Sequence, residues 1–63
     1  MRVRDFLQLW RGNFEIIDRE GEIICISVMD PNYNMLRYEK IQSAWFCFDG
    51  HSQDHIMVIR IDT

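Results

Sequence analysis

The chain has 63 residues, too few for a second domain, a large cofactor cleft or a long catalytic lid. Hydrophobic residues make up 48%, aromatic residues 13% and charged residues 27%, a balance that excludes both a disordered tail and a membrane span. Ten acids against seven bases give a net charge of −3. The bases (Arg2, Arg4, Arg11, Arg19, Arg37, Lys40, Arg60) are scattered rather than clustered, which disfavours direct nucleic-acid binding.

The N-terminal stretch has helical periodicity. Val3, Phe6, Leu7 and Trp10 fall at i, i+3, i+4 and i+7, one face of an amphipathic helix. Asp5 suits the first turn, no Ser, Thr or Asn offers an N-cap, and Gly12 is expected to close the helix in the left-handed conformation. Residues 14–18 are β-rich, Arg19-Glu20-Gly21 is a turn, and Glu22 to Val28 is a second β-rich run, together a hairpin. Asp30-Pro31-Asn32 starts a turn, and Met29 to Lys40 is either a loop or a short helical turn around Asn34–Tyr38. Ile41 to Phe48 is β-rich, Asp49 to Asp54 is a polar loop, and His55 to Ile61 is a last strand.

The expected fold is α+β in a single domain over residues 1–63. An N-terminal helix packs on one face of a four-stranded antiparallel sheet, in the order α-β-β-[loop or short helix]-β-β. Short loops between consecutive strands favour hairpins over parallel crossovers.

Strand alternation sorts the side chains into two faces. The first face (Phe14, Ile16, Ile24, Ile26, Val28, Ala44, Phe46, Phe48, Met57, Ile59, Ile61) is almost wholly apolar and belongs under the helix. The second holds Glu15, Ile17, Ile23, Cys25, Ser27, Ser43, Trp45, Cys47, Ile56, Val58 and Arg60, too apolar for a solvated face. Either residues 29–40 fold over it through Met35, Leu36 and Tyr38, or it meets a protein partner, a second copy or a host protein. The candidate contact residues are Ile17, Ile23, Cys25, Trp45, Ile56 and Val58, with Trp45 as the aromatic anchor.

Chemical sites are few. Cys47, His51 and His55 have loose metal or thiol spacing, but a hairpin loop does not bring such residues together as a helix would, and neither a metal nor a cofactor is expected. Cys25 and Cys47 read as small hydrophobes. Glu15, Asp18, Glu20 and Glu22 form an acidic cluster around the first turn, read as turn chemistry or as a negative surface for a basic partner. The longest apolar runs are far short of the roughly 20 residues of a membrane helix. No basic segment leading into an apolar core opens the chain, so a cytoplasmic location with reduced thiols is expected.

The opening MRVRDFLQLW, followed by Phe14-Glu15-Ile16-Ile17-Asp18, resembles many short open reading frames of phages, prophages and conjugative elements of Gram-positive gut bacteria. Those begin with Met, a Val flanked by basic residues, an acid and a leucine-rich turn before a β-hairpin. They often end in two β-rich runs around an acidic turn. Trp10, Trp45 and the Met29–Lys40 segment depart from the pattern. The resemblance implies a mobile-element origin and carries over no residue role. A few small acidic proteins of that setting bind and inhibit host defence enzymes, CRISPR effectors among them. The expected function is a small, self-associating, non-enzymatic protein–protein interaction module. The alternative is an acidic anti-defence inhibitor of a host nuclease, and a remote third is a metal or thiol site at Cys47, His51 and His55.

Overall fold

Seven residues form the N-terminal helix α1, Val3–Leu9, and the computed structural model shows how it starts without a capping side chain. Its first free N–H groups, on Val3 and Arg4, donate to the carbonyls of Glu39 and Arg37 at 3.0 and 2.9 Å. A distant stretch of backbone thus satisfies donors that a Ser or Asp would otherwise cap. The Asp5 carboxylate also accepts from the Arg2 N–H at 3.4 Å. The structure describes residues 1–51 and 53–63; Ser52, inside the expected polar loop 49–54, lies outside the described residues.

The helix ends at Trp10, whose backbone is extended (φ −103°, ψ 122°), two residues before Gly12. Gly12 is not in the left-handed region; the positive-φ glycine is Gly21, at 86°. Its role is close approach instead. The Trp10 indole lies against it, and a Cβ at Gly12 would fall 2.6 Å from the ring. Trp10 Nε1 donates to the Asn13 carbonyl at 2.9 Å and pins the ring there.

Strand β1 spans Asn13–Ile17 and β2 spans Ile23–Cys25. Asp18 builds the turn between them: its N–H donates to the Glu22 carbonyl, its carbonyl accepts from Gly21, and its Oδ1 accepts from the N–H groups of Glu20 and Glu22. The antiparallel register is Ile17 with Ile23 and Ile16 with Cys25, so Ile24 is an extra residue in a β-bulge. That single insertion reverses the parity of everything after it. Cys25 therefore faces the core, opposite to the expectation, while Ile26 and Val28 are exposed. Beyond Cys25 the chain leaves the sheet through side-chain-stabilised turns, Ser27 Oγ accepting from Met29 N–H and Asp30 Oδ1 from Asn32 N–H. One helical turn follows, α2, Tyr33–Leu36.

Strands β3 (Ile41–Asp49) and β4 (Asp54–Ile61) form the second hairpin. The sheet order is β2-β1-β4-β3, and β4 lies parallel to β1. The expected antiparallel sheet is thus corrected to a mixed one. Each hairpin is antiparallel, but the two join along β1 and β4. Chain direction then requires β3 to run the same way as β2, so residues 26–40 cross from one end of the sheet to the other. Fifteen residues suffice for such a crossover.

The core gathers Val3, Phe14, Ile16, Cys25, Met57, Ile59 and Ile61, with Phe6, Leu7, Trp10, Ile24, Tyr33, Leu36 and Ile41 packed against it. Both helices contribute, so α1 and the 29–40 segment share the first face. The idea that residues 29–40 fold over the second face is corrected accordingly. Fully burying an isoleucine contributes about 1.5–3 kcal/mol, and Ile16, Ile59 and Ile61 are each at 0% exposure.

Candidate functional site

Strand registers place the second face in three rows across the sheet. Ile23, Ile17, Arg60 and Ser43 form one, Glu15, Val58 and Trp45 the next, and Asn13, Ile56 and Cys47 the last. Ile17 and Val58 are only 9% and 7% exposed although neither belongs to the core cluster against which α1 and α2 pack. Their row neighbours account for this. Val58 stands between Glu15 and Trp45, and Ile17 between Ile23 and Arg60. The Arg60 guanidinium reaches the Arg19 carbonyl, carrying its aliphatic stem past Ile17.

Of the six contact residues read from the sequence, Ile17 and Val58 are thus hidden within the chain and Cys25 lies in the core. Ile56 is half-buried, and Ile23 and Trp45 are exposed. Ile23 sits at the β2 edge and Trp45 on β3, at the opposite edge, so these two are far from forming one patch.

A different surface emerges on β3. A seven-residue helix covers about 10 Å, whereas nine strand residues span about 30 Å. Helix α1 therefore leaves the far end of β3 bare. Phe46 and Phe48, expected under the helix, are 58% and 57% exposed, and Trp45, on the other face, is 44% exposed. Phe46 meets Trp10 edge-on at 5.1 Å between ring centroids, and His55 lies edge-on to Phe46 and Phe48 at 6.5 and 5.4 Å. These contacts fix the rings without burying them. The length mismatch between helix and strand was readable in the sequence and is the signal that locates these residues.

β3 is also a sheet edge. Among the described residues its outer side is met only at its start, by an isolated bridge from Arg2 to Lys40 and by the Ile41 N–H donating to the Met1 carbonyl, leaving Gln42 to Asp49 with no neighbouring strand. Between Lys40 and Asp49 it carries no charged side chain, Pro or Gly, the usual devices that keep an edge from pairing. Charge is concentrated at its two ends. Arg2 and Lys40 stand at one, with Arg4 and Arg37 stacked on Tyr38 nearby at 5.3 and 5.0 Å. Asp49 stands at the other, paired in register with Asp54.

The remaining candidates are not brought together. Cys47 lies on the second face and His55 on the first, and His51 is in the turn, its N–H donating to Asp49 Oδ1. Among the described residues no three His, Cys, Asp or Glu side chains are grouped as metal ligands. Cys25 and Cys47 sit on strands at opposite edges of the sheet and on opposite faces. Burial pushes the Cys25 thiol above its ordinary pKa, with Asp30 acting in the same direction against a backbone hydrogen bond at Ser27. Of the acidic cluster, Asp18 commits one carboxylate oxygen to the turn, Glu15 is half-buried in the strand rows, and Glu20 and Glu22 are exposed. A shallow cleft between the end of α1 and residues 26–28 is lined by Leu7, Trp10, Phe14 and Val28 and holds no carboxylate, thiol or imidazole. No helix among the described residues is long and apolar enough to cross a membrane.

No protein-family model, curated protein or solved structure matches this chain.

Proposed function

We propose that this chain is a non-enzymatic protein–protein interaction module of mobile-element origin, with β3 as its contact element. One observation carries the reading: a nine-residue edge strand, uncharged from Ile41 to Phe48, that holds Trp45, Phe46 and Phe48 toward solvent. Such an edge offers backbone N–H and C=O groups for strand addition and aromatic anchors on both sides of them. Fixed rings lose little conformational entropy when a partner covers them, which favours binding.

The charge-mimic reading has less support. Its four carboxylates do not form one array, because Asp18 is held by turn amides and Arg19 projects from the same turn, 3.9 Å from Asp62.

The test is site-specific photocrosslinking in cells that produce the protein. A photoreactive phenylalanine analogue at position 46 or 48 is expected to give discrete protein adducts, while the same group at Glu20 gives none. Equal labelling at all three positions, or none at any, overturns β3 as the contact element.

A further inference from the structure

We infer that the occupant of the β3 edge is the β3 strand of a second copy, paired antiparallel about a two-fold axis close to Trp45, so that two four-stranded sheets join into one of eight strands. The inference rests on the interaction-module reading and adds the identity, direction and register of the partner.

Charge argues for self-pairing. The protein carries −3 overall, so most faces of two copies repel, but β3 brings no charge to its own pairing from Ile41 to Phe48. Opposite charges mark its ends: Arg2, Arg4, Arg37 and Lys40 outnumber Glu39 and Asp5 at one, and Asp49 and Asp54 stand at the other. Antiparallel pairing sets the basic end of each copy beside the acidic end of the other, twice. Parallel pairing would set like against like.

Register follows from the free length of the edge. Residues 1–2 occupy the outer side of β3 at Lys40, so the open stretch runs from Gln42 to Asp49, centred between Trp45 and Phe46. A two-fold axis perpendicular to a sheet pairs residues of the same face, hence of the same parity. Axes at Trp45 and at Phe46 use the open stretch equally, and charge decides between them: the axis at Trp45, which opposes Trp45 to its symmetry mate and Ser43 to Cys47, also sets Asp49 opposite Ile41, next to Lys40 of the other copy.

Area supports the same conclusion. Three half-exposed rings present on the order of 100 Å² each, so two copies bring about 600 Å² of aromatic surface toward a standard interface of about 1,600 Å². The strand backbones and the exposed Cys47 add to this area along the same edge.

The experiment uses the purified full chain. Sedimentation equilibrium of the wild type is expected to give a dimer at micromolar concentration. Trp45→Lys and Trp45→Glu, each placing like charges at the axis, are expected to be folded monomers with wild-type circular dichroism, and their mixture to form a heterodimer. Phe48→Lys, at the open end of the strand, is a second variant should substitution of Trp45 impair folding, and is expected to raise the dimer dissociation constant at least tenfold. Nitroxide labels on Cys47 read the register, since pairing at Trp45 places the two backbones about 15 Å apart at that residue. A wild type monomeric to millimolar concentration overturns self-pairing and leaves the contact role of β3 to the crosslinking result. A dimer that survives both Trp45 substitutions and Phe48→Lys, or label separations beyond 30 Å, places the contact elsewhere and also overturns the inference.

Discussion

Adding one methyl group at Gly12 is expected to destabilise the protein by about 1–2 kcal/mol. Gly12 is not among the positive-φ residues, so its backbone accepts alanine, and on conformational entropy alone the substitution would stabilise by about 0.4–1 kcal/mol. Trp10 reverses the sign. The new Cβ would stand 2.6 Å from Cζ2 and 2.9 Å from Cε2 of the indole. The ring is not free to swing aside, since Nε1 donates to Asn13 and the ring edge meets Phe46. Displacing it forfeits a hydrogen bond of about 1 kcal/mol and an aromatic contact of about 0.5–1.5 kcal/mol, which together outweigh the entropic gain. Urea unfolding followed by circular dichroism, at dilution sufficient to keep the chain monomeric, measures the loss. The decisive comparison repeats Gly12→Ala in a Trp10→Ala background, where the obstruction is gone and the substitution is expected to be neutral or stabilising. A Gly12→Ala protein as stable as the wild type, or an equal loss in both backgrounds, would show that the indole does not oppose the added methyl. The outcome bears on the contact surface as well, because Trp10 props Phe46.

Four further outcomes follow from burial and backbone geometry. Ile59→Ala, at a fully buried position, is expected to lose about 2–5 kcal/mol, whereas Ile23→Ala on the exposed β2 edge loses less than about 1 kcal/mol; thermal or urea unfolding separates them. Gly21→Ala is expected to lose about 1–2 kcal/mol from left-handed backbone strain alone, since nothing lies near the added methyl, and Gly21→Asn to lose less. Thiol titration with an aromatic disulfide is expected to find Cys47 promptly reactive and Cys25, 2% exposed, reactive only on unfolding. The raised folded-state pKa of Cys25 also gives stability a pH dependence. The contribution is fully present below the unfolded thiol value of about 8.5 and declines as pH rises from there through the higher folded value. Melting temperatures that stay level to pH 10, or fall equally in Cys25→Ala, would count against that assignment.

Much of the architecture is legible in local pattern. The i, i+3, i+4, i+7 stripe locates α1, the Gly21 turn locates the first hairpin, and residues 41–61 are recognisable as two strands, because hydrophobic period and turn chemistry act within a few residues. Even the bare end of β3 is implied by the helix being too short for the strand. Three features depend on contacts that no local pattern encodes. The parallel joining of β1 to β4 depends on where residues 26–40 travel. The bulge at Ile24, which sends Cys25 into the core and exposes Ile26 and Val28, depends on which register buries more surface once the helices are in place. The start of α1 depends on carbonyls more than thirty residues away.

Composition and periodicity set how much apolar surface the chain carries and require that one helix and one sheet face leave some of it over. Tertiary structure alone decided where the surplus lies. Part of it is hidden among neighbours in the strand rows, as with Ile17 and Val58, and the rest stands along β3. The physical reason is that periodicity assigns a side chain to a face, whereas exposure is set by what lies above that face and by whether the strand has a neighbour at its edge.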